Sequence, residues 1–83
     1  MQNQSEILKT LADVKQVGTT VRIVDVLGDD AVALRLMEMG LTEDEEVELL
    51  GFAPLGDPIE FSVRGYRLSL RSSEAARVHI ETI

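Results

Sequence analysis

Residues 59–70 leave this chain few ways to fold. Ile59, Phe61 and Val63 alternate with Glu60 and Ser62, while Tyr66, Leu68 and Leu70 alternate with Arg67 and Ser69. A period of two marks strands with one face in a core and the other in water. Only Arg64-Gly65 separates the two runs. A two-residue hairpin loop there sets Val63 opposite Tyr66, Phe61 opposite Leu68 and Ile59 opposite Leu70, so every pair on the inner face is apolar. A slip of one residue would turn the inner face of one strand toward solvent. Turn chemistry and hydrophobic pattern therefore specify the same register.

Upstream, Ala53-Pro54-Leu55-Gly56-Asp57-Pro58 joins a proline that presets φ to a glycine that can take positive φ, the composition of a tight reversal. Pro58 opens the next strand, one of the few strand positions that tolerates a missing N–H. Residues 47–53 enter this turn as a strand of divided character. Val47 and Leu49 favour one face and Leu50 and Phe52 the other, which predicts either a bulge or a strand covered on both sides.

The remaining elements follow from the same local rules. Residues 20–26 are a β-branched run suited to a first strand. Gly28-Asp29-Asp30 breaks it, and Asp29 or Asp30 caps a helix over residues 31–39 with Gly40 as its left-handed stop. Within that helix only Arg35 and Glu38 are polar, so most of its circumference needs cover. Val32, Leu36, Met37 and Met39 either plug the end of a barrel or present a docking face. Residues 72–76 read as one helical turn capped by Ser72 or Ser73. Val78, Ile80 and Thr82 then alternate with His79 and Glu81 in a last strand that closes the sheet. Ile7, Leu11 and Val14 fall at helical spacing, and Thr10-Leu11-Ala12-Asp13 has a capping-box pattern, which predicts a short N-terminal helical segment. The reading is a mainly β chain: residues 1–9 as a flexible or partly helical extension, then one domain over 10–83, a small barrel of about five strands with a short helix after the first.

The run from Ala53 through Leu55-Gly56-Asp57-Pro58 to Glu60, the run Val63-Arg64-Gly65-Tyr66-Arg67-Leu68-Ser69-Leu70-Arg71, and Glu38-Met39-Gly40-Leu41 before them resemble the FeoA family of small ferrous-iron transport accessory proteins. The resemblance covers roughly residues 10–83. It implies an SH3-like barrel with a helix inserted after the first strand. It also implies a cytoplasmic protein that binds FeoB, a membrane permease carrying a cytosolic GTPase domain, and modulates iron uptake or GTP hydrolysis. The chain departs from the family pattern in three places. Lys15-Gln16-Val17-Gly18 stands where a Pro-Gly turn is common, Glu43-Asp44 where Pro-Gly is common, and Ala33 and Leu34 where the helix often carries bases. Asp44 tolerates a left-handed conformation, so the second of these turns is expected to survive.

Composition narrows the function. Eighty-three residues allow one small core. The absence of cysteine excludes disulfides and thiolate metal sites and suits a reducing compartment. No apolar run approaches the 18 or so residues of a membrane span, and Met1-Gln2-Asn3-Gln4-Ser5 does not read as a signal peptide. A soluble chain that meets the membrane only through a partner is the expectation. Net charge is −7, and residues 25–60 hold eleven acids against the single base Arg35. Such a surface repels phosphate backbones, so nucleic acid is not an expected partner. Arg64, Arg67, Arg71 and Arg77 form the basic side of a dipolar molecule.

No catalytic constellation is visible, and an enzyme is not expected: the one histidine, His79, falls on an outward strand position. Thr42-Glu43-Asp44-Glu45-Glu46 invites a metal reading. Adjacent acids on one turn cannot all converge, however, and no histidine or cysteine joins them, so no metal ligand and no cofactor is assigned. Binding remains. Arg67, Ser69 and Arg71 share the outward face of one strand, opposite Glu60 and Ser62. They form either an intramolecular ladder, with each exposed pair worth about 0.2–1 kcal/mol, or a recognition face for carboxylates of a partner. Leu55 at its turn tip is a second candidate contact, unless it folds back over the barrel mouth. Proline-peptide binding is disfavoured, because Phe61 and Tyr66 are expected inside and only Phe52 is left to line a groove. Two other readings stay open: a regulatory domain like the C-terminal barrel of DtxR-type iron-dependent repressors, and a small iron-binding sensor or carrier.

Overall fold

The hairpin forms in the register its pattern demands. The computed structural model describes residues 8–83. In it β1 (Thr20–Val26), α1 (Ala31–Glu38), β2 (Glu46–Phe52), β3 (Ile59–Val63), β4 (Tyr66–Leu70), α2 (Ser72–Ala75) and β5 (Val78–Thr82) follow a 3-10 turn at Leu11–Asp13. β3 and β4 pair Ile59 with Leu70, Phe61 with Leu68 and Val63 with Tyr66. Arg64 and Gly65 take φ of 55° and 85°. Two consecutive positive φ values make a type I′ turn, whose twist matches that of the flanking strands.

The strands form one antiparallel sheet in the order β4-β3-β2-β1-β5. Two bulges curl it. The divided pattern of β2 resolves as a shift in pairing between Leu49 and Gly51, with Leu50 as the extra residue. A second shift in β1, between Ile23 and Asp25, leaves Val24 unpaired and half-exposed. Each bulge bends its strand and increases the local twist. The inner faces consequently enclose one core drawn from every strand: Val21, Ile23, Val47, Leu49, Ile59, Phe61, Val63, Leu70 and Val78 all lie within it. Among the described residues no polar or charged side chain is buried.

The helix after the first strand is capped by Asp30, whose Oδ1 accepts the N–H of Ala33 at 3.1 Å. Gly40 follows its end with φ of 103°. Leu36 and Ala33 plug the barrel, with Val32 and Met39 half-buried against the core. Met37, which could have joined the plug or an outward face, is 39% exposed, and Leu34 is 55% exposed. An eight-residue helix resting on a curved sheet seats only one stripe.

Three further expectations are revised, and a fourth is met in its shortest form. Tyr66 is 43% exposed rather than inward, because it ends the edge strand; its hydroxyl donates to the carbonyl of Met39 and ties the hairpin to the end of α1. Neither Ser72 nor Ser73 caps α2. Arg71 is the N-cap, Glu74 Oε1 accepts its N–H at 2.9 Å, and Asp57 Oδ1 accepts the N–H of Ser72 at 2.7 Å. Thr82, placed on the inner side, is exposed. The N-terminal helical segment is a single 3-10 turn, in which Asp13 Oδ2 accepts the N–H groups of Lys9 and Thr10 at 2.9 Å each while Leu11 and Val14 enter the core. Ile7 and the extension over residues 1–7 lie outside the described residues.

Candidate functional site

Arg67 and Ser69 stand on the outer face of β4, opposite Ser62 and Glu60. The ladder reading requires Glu60 to serve both arginines. It approaches only Arg67, at 3.8 Å, which is beyond hydrogen-bond length, and the Arg67 side chain is 78% exposed. Such a pair contributes little. Arg71 makes no ion pair among the described residues.

The other bases on this side are already used. Arg77 pairs with Asp30 and donates to the carbonyl of Leu27 at 3.1 and 3.2 Å. That Arg77 hydrogen bond, with the N–H of Ala33, holds the Asp30 carboxyl below its ordinary range. Arg64 pairs with Glu45 at 2.7 Å, which pulls one member of the acidic run back onto the hairpin. Arg22 pairs with Glu81 at 3.2 Å. Among Arg64, Arg67, Arg71 and Arg77, Arg67 has only the long contact with Glu60 and Arg71 has no ion-pair partner among the described residues.

Arg71 opens onto a cleft of about 350 Å³. α1 supplies Arg35 and Met39, the turn before β3 supplies Asp57 and Pro58, the end of β4 supplies Ser69, and α2 supplies Glu74. Both acids in it are engaged. Glu74 accepts from Arg71 N–H with one oxygen and pairs with Arg35 through the other, and Asp57 holds the N–H of Ser72. Arg35 and Arg71 balance Asp57 and Glu74 in formal charge; among the described residues the Arg71 guanidinium has no ion-pair partner, and Met39 and Pro58 line the cleft beside it.

The structure thus brings Ser69 and Arg71 together and places Arg67 farther along the same face. Leu55 does not fold back. It is 96% exposed at the tip of a turn closed by the Gly56 N–H on the Ala53 carbonyl at 2.7 Å, and it does not line the cleft. Sequence reasoning missed Arg35 and Glu74. Arg35 is the sole base in residues 25–60, and Glu74 sits three residues after Arg71 as an N-cap acceptor would. Those were the available signals.

Among the described residues no three of His, Cys, Asp or Glu gather to hold an ion. In the acidic run Asp44 takes φ of 73°, the left-handed conformation expected of it, while Glu45 faces Arg64. His79 Nδ1 lies 3.0 Å from Asp25 Oδ1 on the outer side of β5 and β1.

Comparison with known proteins agrees with this architecture. The model of the FeoA domain matches residues 9–82. A Porphyromonas gingivalis Fe(2+) transport protein A/Fe(2+) transporter FeoB fusion protein is 33% identical over 66 residues, which cover 80% of this chain and 8% of that protein. The chain thus spans a small fraction of the curated relative it matches. The solution structure of a FeoA-like protein from Clostridium acetobutylicum superposes with a TM-score of 0.81 at 34% identity, covering 93% of this chain and 91% of that one. Stenotrophomonas maltophilia FeoA, crystallised with zinc and described as a prokaryotic SH3 domain protein, gives 0.75 at 34% identity, covering 87% and 88%. A five-stranded antiparallel barrel of the SH3 type, a helix inserted between its first two strands and a family match over nearly its whole length place this chain in the FeoA family, proteins involved in ferrous iron transport.

Proposed function

We propose that this chain is an adaptor that binds an FeoB-type ferrous iron transporter from the cytosolic side and modulates transport or GTP hydrolysis, without catalysing a reaction itself. The observation that carries this reading is the fusion of the two units in one P. gingivalis chain, which keeps them together permanently. Covalent linkage raises effective concentration, so a fused pair is one whose association is useful even when weak. The surface suits the role. Arg67 and Arg71 are uncommitted on a molecule of net charge −7, and an arginine-bearing patch on an acidic body orients the approach of a carboxylate-bearing partner. No described helix is long and apolar enough to cross a membrane, which fits contact with the bilayer through the transporter alone.

The test is affinity purification of the tagged chain from detergent-solubilised membranes of its own host, beside an Arg67→Glu/Arg71→Glu variant shown to be folded. Recovery of the transporter with the native chain and at least about a tenfold loss with the variant is the expected result, since reversing two charges opposite a complementary surface costs more than removing them. Equal recovery with both keeps the adaptor and removes these arginines from the interface. Failure to recover the transporter from an extract that contains it overturns the adaptor.

A further inference from the structure

We infer that the outer edge of β4 is a strand-docking site: an extended, acidic segment of the partner adds to the sheet there and sets one of its carboxylates on Arg71. The inference rests on the adaptor reading and deepens it by naming how contact is made.

A two-residue type I′ loop makes Val63 and Tyr66 a hydrogen-bonded pair, and bonded and non-bonded pairs alternate from there. Phe61–Leu68 and Ile59–Leu70 are bonded, whereas Ser62–Arg67 and Glu60–Ser69 are not. The N–H and C=O groups of Arg67 and Ser69 therefore point away from β3. β4 ends the sheet, and among the described residues no hydrogen bond reaches those groups from another part of the chain. The opposite edge is treated differently. Thr10 bridges to His79, and the Lys9 carbonyl accepts the N–H of Ile80 at 3.0 Å, so the N-terminal segment covers part of β5. Among the described residues one edge is partly covered and the other is left bare.

A bare edge is a template for another strand, and main-chain hydrogen bonds along it supply affinity while side-chain sites alongside supply specificity. Here the edge runs into the cleft, which is lined by Ser69 of β4 and by Arg71, one residue past the strand's end. Arg67 and Arg71 stand four residues apart, about 13 Å along an extended chain. A docked segment with acids at that spacing can satisfy both, and guanidinium forks favour carboxylates over point acceptors. A second copy of this chain fits poorly, since antiparallel pairing of two β4 edges sets arginine against arginine.

The test is hydrogen exchange in residues 66–70 of the whole chain, free and bound to the solubilised FeoB-type transporter. Native binding is compared with that of Ser69→Pro and Arg71→Glu. Ser69→Pro deletes an outward N–H without removing a bond to β3, so the hairpin should persist. The expected result is slowed exchange at Arg67 and Ser69 in the complex and binding weakened about five- to tenfold by each variant, the loss appropriate to one main-chain or charge-assisted bond. A complex that forms while those amides exchange as in the free chain overturns strand docking and leaves the adaptor standing. If the transporter does not bind, the adaptor fails, and the edge is judged with displayed random octapeptides. Enrichment of acidic sequences that slow the same amides upholds the site. Enrichment of none, or of peptides that leave those amides unprotected, overturns it. Should Ser69→Pro not fold, amide protection in the native chain and the effect of Arg71→Glu decide alone.

Discussion

Single residues carry identifiable strains and charges in this barrel. Asp44 occupies left-handed backbone at φ of 73° in the turn between α1 and β2, a conformation that costs an L-residue roughly 1–2 kcal/mol and glycine nothing. Asp44→Gly is therefore expected to stabilise the fold by up to about 1 kcal/mol, part of the gain being offset by glycine's freedom in the unfolded chain; Asp44→Ala should destabilise it. Urea denaturation of the two variants distinguishes them by sign. Two other carboxylates make stability depend on pH. Asp13 is held below its ordinary value of 3.8 by the N–H groups of Thr10 and Lys9, and Asp30 by the hydrogen bond from Arg77 and by Ala33 N–H. A carboxylate with a lowered folded pKa adds stability that is fully present above the unfolded value and is lost as pH falls through the folded one. Stability should thus drop below about pH 4, and Asp13→Asn/Asp30→Asn should flatten that decline; a denaturation series between pH 2 and pH 6 reads the difference, with an unchanged slope refuting the assignment.

Elements are joined in this fold by side chains that reach across sequence. Asp57, in the turn before β3, accepts the N–H of Ser72 and so caps α2 from 15 residues away. Asp57→Ala is expected to cost about 1 kcal/mol, the ordinary worth of an N-cap. Ser72→Ala and Ser73→Ala should fall within about 0.5 kcal/mol of native, because neither hydroxyl caps the helix. Equilibrium denaturation ranks the three, and a loss in the serine variants equal to that of Asp57→Ala would contradict this account. At the centre of the hairpin Phe61 is fully buried, and Phe61→Ala should cost about 3–5 kcal/mol, a large share of what so small a domain has. Hairpin and helix were legible locally, and the bulge as one of two readings. Period-two alternation identified β3 and β4, Asp29 or Asp30 with Gly40 bracketed α1, and the mismatch of Val47 and Leu49 against Leu50 and Phe52 marked β2 as either bulged or covered on both sides; the structure decided for Asp30 and for the bulge. The bulge at Val24 was not legible, because an uninterrupted β-branched run carries no sign of which residue leaves the ladder.

At the scale of the molecule, the acids concentrated in residues 25–60 and the uncommitted arginines at β4 and α2 make a dipole. Binding of the FeoB-type transporter through the basic end should therefore weaken with salt, and chiefly through association. Raising ionic strength from about 0.05 to about 0.5 M shortens the screening length severalfold and is expected to slow association about tenfold with dissociation little changed, as surface plasmon resonance would show. An association rate indifferent to salt would place the contact away from these charges.

What the sequence by itself determined are the features set by neighbours a few residues apart: the hairpin and its register, the reversals, the start and stop of α1, the alternation along the strand interiors and the lopsided charge. These depend on local sterics and on the two-residue and 3.6-residue periods. Only the tertiary structure decided which arginines remain free and where they lie. Arg35 meets Glu74 across 39 residues and Arg77 meets Asp30 across 47, and no local pattern ranks such pairings against the alternatives. The cleft beside Arg71 forms where α1, the turn before β3, the end of β4 and α2 meet, and the β4 edge is bare among the described residues because the sheet ends there while residues 9 and 10 reach the β5 edge.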